Sequence, residues 1–280
     1  MSDSKNLSTS RSLVYPADVV FLSLCFTGSF VGAYSAFNRY LKRYSKVTSI
    51  PSSAFRKRWL FGKVTSVGDG DNFHFFHTPG GIFGGWGWLR KLPKLSRVEV
   101  KEVGQKTHKP SAERAPLYKR LFHLIFEKNK SQTAWSNYYL SLHVPYKNRR
   151  NLSTISVRIC GVDAPERAHF GNTAQPFSEE ALNWLRYTLL GRNVWIKPLS
   201  VDQYNRCVAR VAYWTWKGWK NVSLEMIEEG LAVVYESKTS AEFDGQERLY
   251  RRYETIAKSQ KRGIWTQKNF ETPGEYKRRL

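Results

Sequence analysis

One cation and two carboxylates fall within Val157-Arg158-Ile159-Cys160-Gly161-Val162-Asp163-Ala164-Pro165-Glu166, a short apolar stretch that opens on an arginine and closes on Asp-Ala-Pro-Glu. An Asp and a Glu three residues apart at a strand mouth can share one ion or one water, and a guanidinium beside them can hold an anion. Taken alone, Asp-x-x-Glu reads as a solvated turn. Two further clusters weigh against that reading: Gly68-Asp69-Gly70-Asp71 upstream and Asp202-Gln203-Tyr204-Asn205-Arg206 downstream. Soft-metal chemistry is not encoded. The three cysteines, Cys25, Cys160 and Cys207, are far apart, and no histidine or cysteine recurs at zinc spacing, His74 and His77 being the nearest pair.

These residues need rigid elements to aim them. If Arg158 to Val162 is a strand, a period of two puts Arg158, Cys160 and Val162 on one face, and Pro165 forces a turn as the carboxylates emerge. Upstream, Trp59 to Val67 and Asp71 to Phe76 flank a Gly-Asp-Gly turn and read as a β-hairpin, with Asp71 opening the second strand at the mouth of a small barrel. Downstream, Pro176-Phe177-Ser178-Glu179-Glu180 starts a helix that Gly191 ends. Val194–Ile196 and Val208–Trp214 follow as strands, then helices over Asn221–Gly230 and about Ala241–Arg262. Five main strands and three helices make an α+β layout compatible with a small Greek-key barrel.

The rest of the chain sets the context. Val19 to Phe37 carries no charge over nineteen residues, enough for a helix to cross the roughly 30 Å of bilayer hydrocarbon. A membrane span is the reading adopted; a cleaved signal peptide and a buried core helix are its rivals. Arg39, Lys42, Arg43 and Lys46 follow at once, as a stop-transfer flank would, and favour keeping the C-terminal bulk on the cytosolic or matrix side. Lys and Arg total 45 against 23 Asp and Glu, a formal charge of +22 that suits nucleic acid or an acidic membrane surface. Residues 1–18 read as a tail, 19–37 as the transmembrane helix, 38–58 as a basic linker, 59–270 as the folded domain and 271–280 as a loose basic tail. Within the domain, about 77–153 reads as an insertion, glycine-rich and then strongly basic, with fifteen Lys or Arg against four Glu between Arg90 and Arg150.

In order along the chain, Gly-Asp-Gly-Asp at 68–71, Arg-x4-Asp-Ala-Pro-Glu at 158–166, Asp-x-Tyr-x-Arg at 202–206, Gly-Leu-Ala at 230–232 and Gly-Ile-Trp at 263–265 resemble the staphylococcal nuclease, or thermonuclease, family. The likeness spans about residues 59 to 270 and is greatest to that family's membrane-anchored fungal mitochondrial probable endonucleases. It implies an OB-fold five-stranded β-barrel with three helices, and calcium-dependent hydrolysis of DNA or RNA phosphodiesters. It also implies roles: Asp71 and Asp163 as calcium ligands, Glu166 as the base that positions water, Arg158 and Arg206 as the cations that grip the phosphate. Calcium favours such hard oxygen ligands. Asn72 and Ala164 stand where the bacterial pattern has threonines, and Tyr235 is only an approximate counterpart of a nucleotide-stacking tyrosine.

The expected protein is therefore a membrane-anchored calcium-dependent endonuclease acting on nucleic acid, without a small-molecule cofactor, its mitochondrial placement implied by the resemblance alone. The alternative is a non-catalytic OB-fold protein that tethers nucleic acid to a membrane. A secreted nuclease is a third, if the apolar run is cleaved.

Overall fold

The computed structural model describes residues 16–93, 101–102, 138–140, 142–143, 152–168, 171–236 and 241–279. The chain divides into two compact units, Met1–Lys42 and Arg43–Leu280. In the first, helix α1 spans Pro16–Ala36 and passes into a π-helical turn at Phe37–Leu41. By length and composition it fits a membrane span or a signal sequence, and its apolar window is unburied.

The second unit is built on a closed barrel. Strands β1 (Leu60–Val67), β2 (Asn72–His77), β3 (Ile155–Ile159), β5 (Asn193–Val201) and β6 (Cys207–Thr215) pair in the order β3-β2-β1-β5-β6, and β6 returns to pair with β3. That last pairing is parallel, Val157 to Cys207, Arg158 to Val208 and Ile159 to Ala209, while the other four are antiparallel. Closure leaves these five strands no open edge. A short β7 (Gly218–Asn221) extends β6 as a hairpin. Alternation puts Ile155, Val157 and Ile159 inside with Cys207, Ala209 and Val211, and leaves Ser156 and Arg158 half-buried on the other face.

Helices close the barrel. Helix α2 (Ser178–Leu189) buries Ala181, Leu182, Leu185 and Leu189, residues at the three- and four-residue spacing of one helical face. Asn221 caps α3 (Val222–Glu228) by accepting from the Ser223 amide at 3.0 Å, and α3 packs with α4 (Glu247–Ser259) through Met226, Ile227 and Tyr250. Each such fully buried side chain contributes on the order of 1.5–3 kcal/mol. The OB-type barrel with its three covering helices is the architecture expected.

Three details differ from the sequence reading. The central strand ends at Ile159; Cys160 and Gly161 turn, and Val162–Asp163 (β4) pairs instead with Val233–Val234 (β8). Arg158, Cys160 and Val162 therefore do not share one face. Gly161 makes the turn possible: its φ is +72°, and a Cβ there would lie 2.6 Å from the Tyr250 ring. Second, the basic linker is partly core, because Tyr44, Val47, Ile50 and Ala54 are buried among the barrel's hydrophobic residues. Third, the C-terminal tail is folded: Pro273–Arg279 forms α5, with Pro273 and Tyr276 buried. Of the insertion, residues 78–93 form a compact glycine-rich loop pinned by Trp86, whose Nε1 donates to the Pro79 carbonyl at 3.1 Å. The apolar run Leu121–Phe126 lies outside the described residues.

His77 ties the segment before the barrel to β2. Its Nδ1 accepts the Tyr44 amide at 3.0 Å and its ring stacks on Tyr44 at 4.9 Å. Burial, with Arg43 and Arg58 adding to it, pushes the imidazole from its ordinary 6.5 down to about 3. The unfolded chain takes up this proton near pH 6.5 and the folded chain does not, so His77 contributes stability above that pH which is lost on acidification toward pH 3. Thermal melts should show a fall in midpoint between about pH 6.5 and 4 that is smaller in His77→Asn, whose amide oxygen keeps an acceptor for Tyr44. Equal slopes would exclude His77 as the source.

Candidate active site

The barrel brings the predicted residues to one mouth. Asp71 immediately precedes β2, and its carbonyl accepts the Ile159 amide at 2.9 Å, which fixes it beside the end of β3. Arg158 lies opposite Asn72 across the β2–β3 pair. The Gly161 turn then reverses the chain and carries Asp163 back toward Arg158. As a result Asp71 Oδ2 and Asp163 Oδ1 converge on a single guanidinium nitrogen, Arg158 Nη2, at 3.3 and 3.0 Å. All three side chains are largely buried. Asn72 adds a donor, its Nδ2 lying 3.2 Å from Asp71 Oδ1 and 3.4 Å from Asp69 Oδ2. At position 164 the methyl is buried against Gly70, where even a Cβ would come within 2.8 Å of Ala164 Cβ.

Glu166 is mounted separately. Its amide donates to Gln175 Oε1 at 2.8 Å, and its carbonyl accepts the Gln175 amide at 2.8 Å. Its carboxylate joins Asp163 through the ammonium of Lys277, which is 2.8 Å from Glu166 Oε1 and 3.0 Å from Asp163 Oδ1. Arg206 stands just before β6, whose parallel pairing to β3 puts it on the strand beside Arg158. Asp202 aims it: Oδ1 accepts the Tyr204 and Arg206 amides at 3.0 and 2.8 Å, and Oδ2 accepts Arg206 Nε at 2.6 Å. The Tyr204 ring lies 5.1 Å from the same guanidinium. With Nε held by Asp202, the terminal nitrogens remain the edge available to an anion.

Electrostatics follow from crowding like charges in a dry mouth. Burial raises the Asp163 carboxyl to about 6; the Lys277 ammonium opposes this, Asp71 adds to it and Arg158 opposes it. Burial acts to lower Arg158, but Asp71 and Asp163 outweigh it and hold the guanidinium firmly charged. Asp69 is raised too, first by burial and then by Asp71. Among the described residues no group of three or more His, Cys, Asp or Glu is arranged to hold a metal ion. The pair Asp71–Asp163 nevertheless fits calcium as donors. Both are hard carboxylates already facing one positive nitrogen, and calcium completes its shell with water and phosphate oxygens.

Two members of the mouth were not assigned from sequence. Tyr235 was too loose a match; its ring lies 5.0 Å from the Arg158 guanidinium. Lys277 sits in what reads as a loose tail. The signal for its helix is Thr272-Pro273-Gly274-Glu275, a capping-box spacing with proline at the first helical position.

A family model described as staphylococcal nuclease homologue matches residues 156–267, which include Arg158, Asp163, Glu166 and Arg206 but neither Asp71 nor Lys277. A protein of Zygosaccharomyces rouxii named probable endonuclease LCL3 is 65% identical over 280 residues, covering 100% of each chain. One of the same name from Kluyveromyces lactis is 52% identical over 280 residues, again with 100% of each covered. One from Saccharomyces cerevisiae is 56% identical over 268 residues, 94% of this chain and 96% of the other.

Arg158→Met should strand two buried carboxylates without their common cation and lower unfolding stability in calcium-free buffer by about 3 kcal/mol or more. Denaturant melts check this, and adding Asp71→Asn should recover part of the loss because one of the two like charges is gone. Additive losses in the double variant would mean that Arg158 does not serve the pair.

Proposed function

Because this chain belongs to the staphylococcal nuclease family, whose domain is that of phosphodiester hydrolases, we propose that it is a calcium-dependent endonuclease that cleaves DNA or RNA at the Asp71–Arg158–Asp163–Glu166–Arg206 mouth. The observation that carries this reading is the convergence of Asp71 and Asp163 on Arg158, with Glu166 joined to Asp163 through one ammonium.

The chemistry follows from what each side chain can do. Calcium, when bound through Asp71 and Asp163, supplies divalent charge to a phosphate oxygen. Glu166 takes a proton from the attacking water as the water oxygen bonds to phosphorus, and its backbone tie to Gln175 keeps the carboxylate facing the mouth. The opposite P–O ester bond then breaks, solvent water protonates the leaving oxygen, and Glu166 returns its proton to solvent. Arg158 and Arg206 hold the phosphate oxygens, and the charge that builds there in the transition state strengthens their grip. Tyr235 offers an aromatic face beside Arg158 on which a base can stack, worth roughly 1–3 kcal/mol.

The full chain in detergent should cleave single-stranded DNA with calcium and stop with EGTA. Glu166→Gln should lose about two to four orders of magnitude in kcat. Arg206→Lys should fail badly as well, since an ammonium cannot replace a fork held at Nε with two free nitrogens. Salt-sensitive binding without product would instead establish the non-catalytic tether.

Helix α1 and its basic flank support a single-pass anchor with the catalytic unit on the cytosolic or matrix side, and the mitochondrial placement rests on the family resemblance alone. The protein should stay with the membrane pellet after alkaline carbonate extraction and keep its N-terminal residues by mass. Release into the supernatant, or a mature chain beginning after α1, would support a cleaved signal sequence.

A further inference from the structure

Lys277 stands where the proposed reaction has no use for a lysine. Its Nζ lies 3.0 and 3.2 Å from the two oxygens of Asp163 and 2.8 Å from Glu166 Oε1, so one ammonium is chelated by a proposed calcium ligand and caps the proposed base. A carboxylate oxygen that already accepts from an ammonium is a poorer acceptor for a proton from water. An added positive charge on Asp163 also opposes the arrival of a divalent cation.

The contact is built rather than a chance meeting of surface charges. Helix α5 begins with a reciprocal cap: the Thr272 amide donates to Glu275 Oε2 at 2.8 Å and the Glu275 amide to Thr272 Oγ1 at 3.2 Å. Glu271 and Arg279 form a two-point ion pair along the helix, at 2.8 and 3.0 Å. Tyr276 anchors the helix to the domain, buried and donating its hydroxyl to the Thr173 carbonyl. Gln175, which holds the Glu166 backbone, also donates Nε2 to the Glu271 carbonyl at 3.1 Å. Tail and base thus share one mounting. The Lys277 side chain, by contrast, is 42% exposed, so its ammonium can swing into water and rehydrate at small cost.

We propose that α5 is a tethered counter-ion: Lys277 occupies Asp163 and Glu166 in the resting protein and must be displaced by calcium, so the tail sets the calcium concentration at which the site is filled. This rests on the calcium-site reading of Asp71 and Asp163. Phosphate favours the exchange, because the displaced Lys277 and its neighbour Arg278 can then lie along the polyanion.

Calcium titrated by calorimetry into the full chain in detergent tests the idea. Lys277→Gln should bind calcium roughly three- to tenfold more tightly than the wild type, the lower end reflecting solvent screening of a half-exposed ammonium. Tyr276→Ala, which keeps Lys277 but unseats its helix, should shift affinity in the same direction. Equal affinities in all three proteins, or weaker binding in the variants, would overturn the tethered counter-ion and leave the calcium site standing. Calcium binding that is absent from all three, or that persists unchanged in Asp163→Asn, would overturn the calcium-site reading and the proposal with it.

Discussion

Two ionised carboxylates repel each other in a largely buried mouth unless a cation lies between them, and Asp71 and Asp163 meet that requirement through Arg158. The rest of the mouth follows from this constraint. The β2–β3 register puts Arg158 beside the residue after Asp71, and the Gly161 turn brings Asp163 back within reach of the same guanidinium. The compensation is local and incomplete, which is why Asp163 remains raised by burial and why a second positive group, Lys277, finds a place there.

Much of this was legible in the chain. Alternation and turn residues give the barrel strands and the Gly68–Gly70 hairpin turn, and the three ordered motifs mark all five mouth residues, four of them within the matched family region. The sequence failed where tertiary packing overrides local pattern. The run from Arg158 to Val162 looks like one strand because all but Gly161 suit a strand, yet the ring of Tyr250 from a distant helix excludes any other residue at that turn. The segment 38–58 looks like a basic linker because Arg39, Lys42, Arg43, Lys46, Arg56, Lys57 and Arg58 are conspicuous. Its apolar residues at 44, 47, 50 and 54 carry the real information, since they dock on the barrel. Lys277 was missed for a similar reason, as a lysine in a charged tail gives no sign of a partner 114 residues away.

Asn72 and Ala164 support the mouth in different ways. Asn72 donates to Asp71, while the Ala164 methyl packs against Gly70. The polar support of Asp163 comes from Arg158 and Lys277.

The parallel contact between β3 and β6 closes the barrel over only three residue pairs, and its two strands are separated by a hairpin turn, a helix and a whole strand of intervening chain. Parallel pairing of this kind is costly in loop entropy and tends to form late. Asp71 comes from the first hairpin and Arg206 from beyond the crossover, so no N-terminal fragment leaving the ribosome can hold a complete hydrolytic mouth. A complete mouth therefore requires the chain through β6, and truncation before Arg206 leaves the upstream carboxylates without it.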